Sequence, residues 1–308
     1  MLRNSLLSGV AVFVLALIAC KGSTEPDATS TSSSSGGEPA SSGGSSNGSN
    51  GNGSTSTTSS GSSGNPPPSN DVVISDESVD VDGTPRAYKL VAPKDYDEAR
   101  AYPLIVAMHG DGQDAGGFIG FSGLTNVAGT EAVMAFTDQS LDLTTYYDNN
   151  KDQKMVPAII AAVKGKRNID AGKIWGFGYS KGAFQIGELL CSGKDIFTAV
   201  AVHQGGAPQD KDGDGNGDCW NPVKVPMFVL GGGNDKDIGS EYYAQFFAGI
   251  HGCDNPFGAR TKASPDICEK FNGCDAGKPL LFCEAPGVPH YPIYEKSAEL
   301  SVAWFKTL

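Results

Sequence analysis

The spacing of apolar residues divides the chain into three stretches of different character. Leu6 to Ala19 is a mostly apolar run, residues 22–70 carry almost no apolar side chains, and from Val72 onward short apolar runs alternate with helical patterns. In that third stretch, Val72 to Val81 and Arg86 to Val91 read as an antiparallel hairpin with Asp82-Gly83 as its turn signal. Apolar runs at Leu104–Met108, Val133–Phe136, Lys173–Phe177, Thr198–Val202, Met227–Leu230 and Leu280–Cys283 follow. Their largely apolar composition predicts strands covered on both faces, as in a parallel sheet. Between them Met155–Val163, Ala183–Leu190, Glu241–Ile250 and Ser297–Lys306 repeat apolar residues at helical spacing. The pattern predicts an α/β domain over residues 71–308: a mostly parallel eight-stranded sheet with helices on both faces. No insertion in it is long enough for a full cap domain, so the expected site is an open cleft.

The first two stretches predict targeting and tethering. Arg3 precedes the apolar run, which is too short to span a bilayer comfortably. The run ends in Leu17-Ile18-Ala19-Cys20, which resembles a bacterial lipobox. The expectation is a lipoprotein signal at 1–19, cleaved before a lipidated Cys20. Lys21 rather than Asp follows, so nothing resembles an inner-membrane retention signal, and the expected location is extracytoplasmic, at the outer membrane or cell surface. Residues 20–70 read as a disordered tether of Ser, Gly, Thr and Asn ending in Pro66-Pro67-Pro68. A coil of that length spans on the order of 40 Å.

Candidate chemistry is concentrated in Lys173-Ile174-Trp175-Gly176-Phe177-Gly178-Tyr179-Ser180-Lys181-Gly182-Ala183. A strand runs into Gly-x-Ser-x-Gly and then into a helix, the sequence form of a nucleophile elbow with Ser180 at its apex. A serine hydroxyl is a weak nucleophile, so it needs an imidazole to take its proton and a carboxylate to orient the imidazole. On α/β-hydrolases the chain order is Ser, acid, His. After the strand Met227–Leu230 comes Gly231-Gly232-Gly233-Asn234-Asp235-Lys236-Asp237, which offers Asp235 as the acid, with Asp237 as the alternative. His290 lies in the turn-rich loop Gly287-Val288-Pro289-His290-Tyr291-Pro292, whereas His251 ends a helix and His203 precedes the acid. The oxyanion of a tetrahedral intermediate needs two donors. One expected donor is the Lys181 N–H, directly after the nucleophile. The other is the Asp111 N–H in His109-Gly110-Asp111-Gly112-Gln113, the loop after the third strand, which His109 is expected to brace.

Pro93-Lys94-Asp95-Tyr96, Tyr102 through Gln113, the elbow, Gly252-Cys253 and His290-Tyr291-Pro292 together resemble the polyhydroxybutyrate depolymerase and feruloyl esterase group of secreted α/β-hydrolases. The resemblance covers most of residues 71–308. It implies hydrolysis of feruloyl or acetyl esters of polysaccharide, or of short polyhydroxyalkanoates, through an acyl-enzyme without a catalytic cofactor. The chain departs from the group at Lys181, where a small residue is typical, and at Asp111, where Cys is frequent. At the histidine, Pro289-His290-Tyr291-Pro292 replaces a Gly-Gly-His-x-Trp-Pro block. Two alternatives stay open on the same fold: a serine peptidase, and a surface binding protein without catalysis.

A net charge of −12 argues against nucleic acid or an anionic membrane surface as a partner. That leaves the lipid as the expected membrane contact of a monomer. Cys191, Cys219, Cys253, Cys268, Cys274 and Cys283 predict three disulfides of open connectivity, clustered so as to staple the loops that position His290. Asp210, Asp212, Asp214, Asn216 and Asp218 place oxygen ligands at alternate positions like the start of a calcium loop. Asn221 stands where an EF-hand has its bidentate Glu, so the alternatives are a structural calcium site and a solvated acidic turn.

Overall fold

The computed structural model describes residues 69–138, 151–208, 219–236 and 238–308. The predicted signal, Cys20 and nearly all of the tether lie outside the described residues, as do the acidic run Asp210 to Asp218 and Asp237.

The hairpin forms as its turn signal predicts, from β1 (Val72–Val81) and β2 (Thr84–Pro93), with Asp82 and Gly83 both at positive φ. The remaining strands are β3 (Tyr102–Met108), β4 (Val133–Thr137), β5 (Ile169–Tyr179), β6 (Ala199–His203), β7 (Met227–Gly232), β8 (Thr261–Ala263), β9 (Cys268–Lys270) and β10 (Leu280–Ala285). They build one sheet in the order β1-β2-β4-β3-β5-β6-β7-β10-β9-β8. Pairing is parallel from β4 through β3, β5, β6 and β7 to β10, and antiparallel at both ends. The eight expected strands are all present. The sheet has ten because β8 and β9 add a short hairpin beyond β10, too brief and too exposed to leave an apolar pattern.

Among the described residues, six helices pack on the sheet: α1 (Ala115–Ser122), α2 (Leu124–Ala128), α3 (Lys151–Lys166), α4 (Lys181–Cys191), α5 (Ser240–Ile250) and α6 (Ser297–Phe305). Strand side chains alternate between two cores. Leu104, Val106 and Met108 of β3 face the core shared with Met155, Ile159, Ile186, Leu190 and Phe247 of α3, α4 and α5. Ile105 and Ala107, one residue out of phase, face the core shared with Phe118, Leu124 and Val302 of α1, α2 and α6. That two-sided burial is why these strands read as continuous apolar runs. Helices α1 and α2 escape the sequence pattern because their segment is rich in glycine and short. α1 is fixed instead by Asp114, whose carboxylate accepts the Gly117 N–H at 2.7 Å.

Three disulfides form, pairing Cys191 with Cys219, Cys253 with Cys274, and Cys268 with Cys283. The last ties β9 to β10, the strand that leads into the His290 loop. The other two close loops after α4 and α5, so only one of the three bears on the base as the clustering suggested. Disulfides persist in oxidising compartments, so the three bridges suggest an extracytoplasmic setting.

Candidate active site

Strand β5 ends at Tyr179 and helix α4 begins at Lys181, leaving Ser180 alone to turn the chain. It does so at φ 50°, ψ −114°, a conformation that costs a non-glycine residue about 1–3 kcal/mol and persists only when its surroundings enforce it. The Ser180 N–H donates to the His203 carbonyl at 2.9 Å, and the Ser180 carbonyl accepts from the Ala183 and Phe184 N–H groups. The flanking glycines are required by contact. A Cβ on Gly178 would stand 2.6 Å from the Gly182 carbonyl oxygen, and one on Gly182 would stand 2.1 Å from the Met108 carbonyl oxygen. α4 is thus seated backbone to backbone on β3.

Ser180 Oγ lies 2.9 Å from His290 Nε2, and His290 Nδ1 lies 2.8 Å from Asp235 Oδ2. The Asp235 side chain is only 1% exposed and the imidazole 29%. A buried acid therefore stands behind a base that reaches the surface. Asp235 and His290 meet because Gly231-Gly232-Gly233 admits the histidine loop. A Cβ on Gly232 would lie 2.4 Å from the Val288 carbonyl oxygen. The Gly233 N–H donates to the Ala285 carbonyl, the Asn234 N–H to the Val288 carbonyl, and the Asn234 side-chain amide to the Gly287 carbonyl. With Nδ1–H donated to the carboxylate, Nε2 keeps its lone pair for the Ser180 hydroxyl proton.

Two further residues hold the histidine and were not singled out in the sequence. Tyr179 donates its hydroxyl to the His290 carbonyl at 2.6 Å, and its ring stacks on the imidazole. Burial, and then the neighbouring Asp235 carboxylate, push the Tyr179 phenol above its ordinary pKa, so it remains a donor. Gln204, buried at the end of β6 and at φ 50°, donates its side-chain amide to the Pro289 and His290 carbonyls. A polar residue directly after a buried strand, followed by Gly205-Gly206, was the available signal for Gln204.

The loop carrying Asp111 follows β3 and is braced from within. The Gly110 N–H donates to Gln113 Oε1 at 3.0 Å, and fully buried His109 has Nδ1 2.7 Å from the Gly110 carbonyl oxygen. Two of the three departures from the group's pattern meet here, with Lys181 Nζ 2.8 Å from Asp111 Oδ1. The calcium-loop residues and Asp237 lie outside the described residues.

His203 and His251 are fully buried, unlike His290. Burial lowers His203 to about 3. It lowers His251 to about 4, partly offset by the neighbouring Lys278 backbone. Each folded pKa lies below the ordinary 6.5, so as the medium acidifies the unfolded chain takes up a proton that the folded protein refuses. Stability from these two groups is complete above pH 6.5. It is lost as pH falls toward 4, at about 1.4 kcal/mol per pH unit for each imidazole. Urea midpoints should therefore drop between pH 7 and pH 5. A midpoint that stays constant over that range would show that neither imidazole is held neutral.

No family model matches the chain. A protein named probable feruloyl esterase C, from Aspergillus terreus, is 23% identical over 212 residues, covering 66% of this chain and 75% of that protein. Among solved structures, an acetyl xylan esterase from Aspergillus awamori superposes with a TM-score of 0.61 at 15% identity, covering 77% of this chain and all of that one. A ferulic acid esterase from the anaerobic fungus Anaeromyces mucronatus gives a TM-score of 0.51 at 16% identity, covering 74% and 87%. The fold is that of the α/β-hydrolases, and the chain resembles the feruloyl esterase group of that fold.

Proposed function

We propose that this chain is a serine esterase that hydrolyses carboxylic esters of the feruloyl or acetyl type through an acyl-enzyme. The observation that carries the reading is the continuous hydrogen-bonded line from Ser180 Oγ through His290 to buried Asp235, with the serine on a strained elbow. Ser180 attacks the ester carbonyl carbon as His290 Nε2 takes its proton. Asp235 stabilises the imidazolium that results, and the Lys181 and Asp111 N–H groups receive the oxyanion. The first N–H lies at the N-terminus of α4, where the helix dipole favours developing negative charge. Collapse expels the alcohol, protonated by His290, and leaves Ser180 acylated. Water, deprotonated by the same imidazole, then releases the acid.

The lipobox-like Leu17-Ile18-Ala19-Cys20 and the polar tract after it support a lipid-anchored enzyme held at a surface where polysaccharide or polyester esters are met. The full chain should label with a fluorophosphonate probe and turn over at least one of methyl ferulate, acetylated xylan and a hydroxybutyrate oligomer. A chain that neither labels nor hydrolyses any of them is a binding protein on a hydrolase fold. Replacing Cys20 by Ser should move activity from the membrane fraction to the soluble one, and activity that stays with membranes would refute the lipid anchor.

A further inference from the structure

We infer that the Lys181–Asp111 ion pair is a positioning device that locks together the two backbone donors of the oxyanion hole. The inference rests on the esterase reading, since it assigns a role within that site. The two donors come from separate parts of the fold, one from the first residue of α4 and one from the loop after β3. Seating α4 on β3 through Gly182 fixes the helix side. The loop side packs through Gly110 against the Tyr179 ring, with the exposed Asp111 beyond that contact. Its Gly110–Gln113 hydrogen bonds are internal, and Gly112 at φ 68° gives its backbone a glycine's latitude. The ion pair instead crosses from this loop to the elbow, joining the side chains of the same two residues whose N–H groups must converge.

Side-chain geometry makes the tie stiff. The Asp111 carboxylate is one carbon from its own Cα, so fixing it fixes the peptide that carries the N–H. A lysine stem is flexible in water, but Lys181 is only 5% exposed and its packing holds the ammonium in place. The Asp111 side chain, 70% exposed, stays solvated, which keeps the pair from being a fully buried ion pair with its large desolvation cost. A charge-assisted bond of this kind is shorter than a neutral one and roughly twice as strong. The hydrogen bond from Lys181 also holds the Asp111 carboxyl below its ordinary pKa, so the tie survives mild acid.

The asymmetry of burial makes the inference specific. Removing Asp111 takes this cross-link from a buried ammonium, whereas removing the Lys181 charge leaves a carboxylate that water can solvate. The test compares Lys181→Met, Lys181→Arg, Asp111→Asn, Asp111→Ala and the Lys181→Met/Asp111→Ala double variant in the full chain. Each is assayed by p-nitrophenyl acetate turnover, fluorophosphonate labelling rate and thermal melting. Losing one oxyanion donor outright costs about 10²–10³ in turnover. A loosened donor should cost about tenfold in kcat with KM little changed. Asp111→Ala should be the worse single change and Asp111→Asn the milder one, should Asp111→Ala fail to fold. Lys181→Arg should retain most of the rate, and the double variant should be no slower than Asp111→Ala alone, because both changes break one contact. Variants that melt at lower temperature yet keep the wild-type kcat would overturn the inference, as would losses that multiply in the double variant. A wild-type chain unreactive toward both ester and probe would overturn the esterase reading together with it, whereas an active wild type with unaffected variants would overturn this inference alone.

Discussion

Replacing Ser180 by Ala should reduce ester turnover by on the order of 10⁴–10⁶ and abolish fluorophosphonate labelling. The hydroxyl is the only atom of that residue able to form the acyl-enzyme, so no neighbour can stand in for it. The same change should leave the melting temperature nearly untouched, since it deletes one oxygen from a part-buried residue and keeps the backbone strain. His290→Ala should cost a comparable factor, because without its Nε2 the serine keeps its proton. The Ser180→Ala/His290→Ala double variant should then be no worse than either single one, as expected for groups that act as a unit. Asp235→Asn removes the acceptor that fixes the imidazole tautomer, and a loss on the order of 10³–10⁴ should follow. Substantial turnover by Ser180→Ala, measured on p-nitrophenyl acetate with protein shown to be folded, would end the mechanism. A harmless Asp235→Asn with a damaging Asp237→Asn would move the acid two residues along.

Replacing Gly182 by Ala, a single added methyl, should both destabilise the fold and remove most activity. Its Cβ would stand 2.1 Å from the Met108 carbonyl oxygen and 2.5 Å from the carbonyl carbon, and these are backbone atoms of a central strand. A clash with a flexible side chain could be relieved by a rotamer change, but this one is relieved only by lifting α4 from β3. Overpacking of this sort typically costs about 1–3 kcal/mol and sometimes more. The lift would carry Ser180 and the Lys181 N–H with it, and a displacement of about 1 Å at a reacting group can cost around 100-fold in rate. Gly165→Ala is the control. Gly165 lies in α3 with nothing within 4 Å of an added Cβ, so Ala there should be neutral or stabilising by up to about 1 kcal/mol. Equal melting temperatures and equal rates for Gly182→Ala and wild type would show that the elbow tolerates the separation.

The strands that build the centre of the sheet are legible because burial on both faces forces apolar side chains at every position, as in Leu104 to Met108. The edge hairpin β8–β9 is not, because three-residue strands open to solvent need no such pattern. Helix α1 is hidden for another reason: its glycines weaken helical propensity, and what holds it is the Asp114 cap and the packing of Phe118 against Phe136 and Phe177. In the site, Ser180, Asp235 and His290 could be named one by one from motif and chain order. The residues that grip the His290 carbonyl, Tyr179 and Gln204, could not, since neither belongs to a spacing rule and each acts across more than eighty positions of sequence.

The sequence by itself determined the alternation of strands and helices, the elbow, and the candidate nucleophile, acid and base, because each is written in residues close together along the chain. Turn chemistry and hydrophobic period are local properties, and a reader of the chain has them in full. Only the tertiary structure decided which cysteines pair, that Tyr179 and Gln204 grip the His290 carbonyl, and that Lys181 and Asp111 face each other as an ion pair. Those are contacts between distant segments, fixed by how β3, β5, β7 and β10 line up in one sheet and by glycines that let backbones touch. Neither the order of strands nor such an approach is encoded in any one window of sequence; both emerge when the two cores close on the sheet.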